Sequence, residues 1–269
     1  MGEVPIVSPL AVLGLRMALV AGFVVIVAVL AERMGPFLGG MIASLPLYTG
    51  PVYLMLALQH DAAWLLQATL GSIVICGANP VFVLVYCVLA RRHGVALSLG
   101  SALLAWAAIA ILVQAHAWTL AQSLLFVMPI SAVSVVLAQS FTRGVTPARA
   151  ERRWSDLLLR AVLVAALAGF TIWISDHLPP QVAGTLSVMP ILLTSIVLVL
   201  QPRVGGKATA ALLAHTLAGL VGMVLAFAVI NVAIPRVGVW AALASGLILA
   251  VGWNVLLIGL RRARRPSGR

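Results

Sequence analysis

The side chains able to do chemistry in this sequence are few, and several recur at one fixed distance. Arg16 and Arg160, Glu32 and Asp176, and Pro46 and Pro190 each stand 144 positions apart. A guanidinium grips carboxylate or phosphate through two parallel hydrogen bonds, so the Arg pair suits an anionic substrate. Glu32 and Asp176 end corresponding apolar runs, where they can serve as gates or proton acceptors, and His215 belongs to a residue type that titrates near neutrality. Each Pro removes a backbone N–H and crowds the carbonyl four residues earlier, freeing polar backbone that only protein or a water-filled cavity can satisfy at membrane depth. Ser44, Tyr48 and Thr49 surround the first Pro, and Ser187, Thr194 and Ser195 the second. Paired interruptions of this kind point to a substrate site, here Ser44, Pro46, Tyr48, Thr49, Ser187, Pro190, Thr194 and Ser195, with Arg16 and Arg160 in reach. His60, Asp61, His116 and His177 fall with Asp176 between apolar runs, but their spacing matches no zinc signature. No metal, no cofactor and no catalytic activity are therefore expected.

The elements that hold these residues follow from composition. Of 269 residues, 63% are apolar and 9% charged, which excludes a water-soluble fold. Nine apolar runs occur, at about 10–31, 37–58, 64–90, 95–113, 118–140, 157–174, 182–200, 208–232 and 238–260, each long enough or nearly so to cross a bilayer as a helix. The first run reads as a mature helix rather than a signal peptide, since Arg16 interrupts it and no Lys or Arg precedes that residue. With nine crossings, 15 of the 17 Lys and Arg lie on one side, leaving Arg16 and Arg236 on the other. The positive-inside rule then puts the N-terminus outside and the C-terminus in the cytoplasm. The net charge of +11 is topological, so no nucleic-acid partner is expected. Cys76 and Cys87 lie in one run, roughly 16 Å apart on a helix and too far for a disulfide.

The spacing of the pairs extends to a whole repeat: residues 13–103 align with 157–247 without a gap, bringing Gly40 onto Gly184 and Arg92, Gly94, Ser101 onto Arg236, Gly238, Ser245. Spans one to four and six to nine are thus two units, opposite in orientation because five spans separate their starts. The expected architecture is an all-α polytopic membrane protein of nine transmembrane helices, with two inverted four-helix repeats joined by a linking helix. Residues 1–114 form the first repeat, 115–141 the linking span, 142–156 a basic cytoplasmic loop, 157–260 the second repeat and 261–269 a basic tail.

The stretch from Gly35 to Leu47, with Pro36, Gly39, Gly40 and a Leu45–Pro46 element, resembles the small four-span GlpM-like bacterial inner-membrane proteins, and the second half keeps Pro180, Gly184 and Pro190 of that pattern. The resemblance implies a bacterial inner-membrane location and a link to export of cell-surface polysaccharide. Inverted repeats can exchange conformations and so open a site alternately to each side. The function expected, for a protein embedded in the lipid bilayer, is transport or export of a small or lipid-linked, anionic solute by alternating access between the repeats. A non-transporting partner of a surface-polysaccharide or lipid pathway and a passive channel are the alternatives, and the oligomeric state is left open.

Overall fold

The structure, a computed structural model, describes residues 49–143 and 154–263 together with Gly22. Every regular element among them is helical: α1 (Thr49–Gln59), α2 (Ala62–Ile75), α3 (Ala78–Ala90), α4 (Val95–Gln114), α5 (Leu120–Thr142), α6 (Trp154–Ile174), a 3-10 turn (Ser175–His177), α7 (Pro180–Ser187), α8 (Ile191–Val204), α9 (Gly206–Val237) and α10 (Val239–Ala263). Six stretches are long and apolar enough to cross a membrane: Ala62–Ala90, Val95–Gln114, Leu120–Thr142, Pro180–Val204, Gly206–Val237 and Val239–Leu260. This is a polytopic helical membrane protein. These six coincide with six of the apolar runs. The run at 157–174 lies within α6, the run at 37–58 is seen only through α1, and the run at 10–31 falls outside the described residues.

Two of the crossings are not single helices. Between α2 and α3 the chain turns at Cys76 and Gly77, with Pro80 in the first turn of α3 unable to donate back. Gly77 lies against Val127 and Phe126 of α5, so a neighbouring helix fills the bend. Between α7 and α8 the helix is interrupted at Val188–Pro190. Asp61 caps α2 by accepting the Trp64 N–H at 2.8 Å, and Thr119 with Gln122 forms a capping box on α5.

Hydrogen bonds sort the helix ends into two groups. At one end His60 Nε2 meets Ser175 Oγ at 3.1 Å and Gln114 Nε2 donates to Thr185 Oγ1 at 2.7 Å. At the other, Gln201 Nε2 donates to the His93 carbonyl at 3.2 Å and Arg91 lies over the Phe141 ring. Residue pairs 67 with 181, 72 with 187 and 79 with 188 advance together, so α2–α3 and α7–α8 run in the same direction. Leu66 meets Asn231 while Cys87 meets Ala210, so α9 runs opposite to α2–α3.

That last pairing is reciprocal. Asn231 Nδ2 donates to the Leu66 carbonyl at 3.0 Å, and Cys87 Sγ donates to the Ala210 carbonyl at 3.3 Å. Asn231 stands 144 positions after Cys87, and Ala210 stands 144 after Leu66. The two contacts therefore repeat the 144-residue spacing, donor against donor and carbonyl against carbonyl. Helix starts keep the same spacing, with α2 and α9 beginning at Ala62 and Gly206 and α4 and α10 at Val95 and Val239.

Candidate functional site

The interruption at Val188–Pro190 is the best-defined candidate. Pro179 and Pro180 open α7, where Pro180 occupies the first turn and loses nothing by lacking an N–H. Eight residues later the ladder fails. The Val188 N–H turns to the Thr185 carbonyl, that of Met189 to Leu186, and that of Ile191 only to Met189 at 2.7 Å. Pro190 has no N–H to give, and α8 restarts with the Thr194 N–H on the Pro190 carbonyl at 2.8 Å.

Side chains from three other helices take up the carbonyls left over. Ser72 of α2 donates to the Gly184 carbonyl at 2.8 Å, which also accepts from Ser187 at 2.7 Å. Thr49 of α1 donates to the Ser187 carbonyl at 2.9 Å, and Asn79 of α3 reaches the Val188 carbonyl at 3.3 Å. A second layer holds these groups: the Tyr53 hydroxyl lies 2.7 Å from Ser72 Oγ, and the Trp106 indole donates to Asn79 Oδ1 at 2.9 Å. All are buried, with Ser72 and Ser187 fully enclosed. The bend between α2 and α3 places Asn79 here, so the two broken crossings meet.

The crossing of α2 and α7 that frames this cluster depends on two glycines. A methyl at Gly71 would fall on the Gln181 carbonyl, and one at Gly184 on the Ala68 carbonyl. Such small-residue contacts let membrane helices approach to backbone distance. Gln67 and Gln181 bond across the same crossing.

Of the residues singled out from sequence, Thr49, Ser187 and Pro190 come together at the break. Ser195 is buried but donates to its own helix at Leu192, while the Thr194 hydroxyl is buried with no hydrogen-bond partner. His215 is half-buried on α9. Arg160 lies on α6 and Asp176 in the 3-10 turn, their side chains being outside the described residues, as are Arg16, Glu32, Ser44, Pro46 and Tyr48 altogether. Asp61 caps a helix, His60 stacks on Trp64 at 3.8 Å and His116 meets Trp118 edge-on. No three His, Cys, Asp or Glu side chains gather to hold a metal among the described residues. Sequence reasoning missed Ser72 and Tyr53, because a hydroxyl inside an apolar run leaves its hydropathy almost unchanged. One signal was available for Ser72: the repeat aligns it with another hydroxyl, Thr216.

No family model, curated protein or solved structure matches this chain.

Proposed function

We propose that this protein is a carrier of the bacterial inner membrane that moves a small or lipid-linked, anionic solute by alternation between two inverted repeats. The reciprocal pair of hydrogen bonds, Asn231 to Leu66 and Cys87 to Ala210, carries the reading. A two-fold that exchanges antiparallel helices is perpendicular to them. For helices crossing a bilayer it lies in the membrane plane, the symmetry by which two halves can trade conformations. The interrupted helix beside this seam supports placing the solute site at α7–α8, and the 144-residue spacing makes Pro46 the counterpart of Pro190 there. Arg16 and Arg160 supply the anion preference in this reading, and Glu32, Asp176 and His215 the gating.

The test is flux into liposomes containing the purified protein, screened over anionic solutes and phosphate-bearing lipids, with Arg16→Ala alongside. Saturable flux lost in the variant is the expected result. Non-saturating flux would favour a channel. One observation favours a second reading: the freed carbonyls at the break already hold partners within the protein, as a purely structural kink requires. Absence of flux across the screen, with wild type and variant equally stable, would establish that second reading, a membrane partner of a surface-polysaccharide or lipid pathway.

A further inference from the structure

Positive charge gathers at one end of the bundle. Arg91, Arg92 and His93 follow α3, Arg143 follows α5, and Arg203 and Lys207 flank the turn from α8 to α9. Two contacts draw these turns together: the Arg91 guanidinium lies over the Phe141 ring, 5.9 Å from its centroid, and Gln201 Nε2 donates to the His93 carbonyl. Asp61, the single carboxylate side chain among the described residues, sits at the opposite end beside His60. Arg91, Arg92, Arg143 and Lys207 are exposed, and none of them makes a side-chain hydrogen bond or an ion pair with another described residue. Each is an unneutralised charge. The ring contact steadies the Arg91 guanidinium and leaves its N–H donors unused.

We propose that the adjoining ends of α3 and α5 bind an anionic phospholipid, whose phosphate lies between Arg91, Arg92 and Arg143. The apolar surface next to these charges makes the partner a lipid rather than a soluble anion. Val88 is exposed three positions before Arg91, whose backbone is still helical, so the two share a face of α3. Val136 and Leu137 are exposed about two turns before Arg143, and Leu137 shares a face of α5 with Phe141. Acyl chains lying along Val88 and Leu137 bring the phosphate to the arginines, roughly 5–9 Å further along the helices. A guanidinium binds two phosphate oxygens at once, and Arg91 meets the headgroup already seated on Phe141. A zwitterionic headgroup carries its own cation, which cancels the attraction. A net negative headgroup is therefore preferred, by about fivefold for each basic residue near the membrane surface. This surface stands apart from the break at Val188–Pro190 and does not rest on the carrier reading.

The full-length protein in detergent is titrated with phosphatidylglycerol, with phosphatidylcholine and, at constant ionic strength, with inorganic phosphate. Tm is followed in each titration, and retained lipid is counted by native mass spectrometry. Phosphatidylglycerol should raise Tm saturably and stay bound, whereas phosphatidylcholine and inorganic phosphate should do neither. Arg91→Gln combined with Arg143→Gln raises the half-saturating phosphatidylglycerol concentration about 25-fold, two charges at about fivefold each. Arg236→Gln, which removes a guanidinium bonded to the Val232 carbonyl near the end of α9, leaves it unchanged. Equal effects of the two lipids on the wild type overturn the proposal, whether or not the double variant folds. A preference for phosphatidylglycerol that survives undiminished in the double variant also overturns it, because the charge responsible then lies elsewhere on the chain. Stabilisation by inorganic phosphate equal to that by phosphatidylglycerol removes the lipid as the occupant.

Discussion

A buried carbonyl that loses its helical N–H still needs a donor, and in lipid water cannot supply one. Asn79 answers that need at Val188 while its other end accepts the Trp106 indole, so one amide serves two helices. Asn79→Ala should therefore lower stability by about 1–3 kcal/mol, the cost of leaving buried polar groups without partners. Thr49→Val keeps the shape and removes one donor from the Ser187 carbonyl, and the expected loss is about 1 kcal/mol. Thermal unfolding of the purified variants measures both; an Asn79→Ala protein as stable as wild type would mean that the break tolerates an unpaired carbonyl. These partners were only partly legible in the sequence. Asn79 and Thr49 stand out as polar residues near a Pro, but Ser72 and Tyr53 gain their meaning from contacts 112 and 19 positions away along the chain.

Helix length is the property a membrane sequence displays best, because a run of about 20 apolar residues has few alternatives to a crossing helix. The break at Val188–Pro190 was readable because Pro forbids the ladder there. The bend at Cys76–Gly77 was not, since both residues keep right-handed helical φ and ψ and the responsible Pro80 comes three residues later. How two helices meet is less visible still: nothing local tells Gly71 and Gly184 from Gly100 or Gly252, yet the first two lie against a neighbouring carbonyl and the last two have open space beside them. Overpacking costs about 1–3 kcal/mol, so Gly184→Ala and Gly71→Ala should each destabilise by that amount as α2 and α7 are pushed apart. Gly100→Ala and Gly252→Ala should be neutral or slightly stabilising, because Ala is the better helix former by about 1 kcal/mol. Tm values for the four variants decide it, and equal losses at all four positions would remove the argument for a close crossing.

For the whole molecule, the same-side neighbours in the structure constrain any topology. The Gln59–Asp61 and Ser175–His177 turns share one end through His60 and Ser175, and the Arg91–His93 and Gln201–Lys207 turns share the other through Gln201. Arg236 belongs with the first end if α9 crosses, and its guanidinium folds back to the Val232 carbonyl at 2.5 Å. The charge sorting of the sequence assigns that end to the outside and the Arg-rich end to the cytoplasm. Single cysteines at His116, His177 or Arg236 should react with a membrane-impermeant maleimide on intact cells. Cysteines at Arg92 or Gly205 should react only after permeabilisation. Cys76 and Cys87 are buried and give little background. Labelling of both groups from one face would break the structure's own pairing of helix ends; a clean exchange of the two groups would keep the fold and turn the molecule over, making its basic loops external.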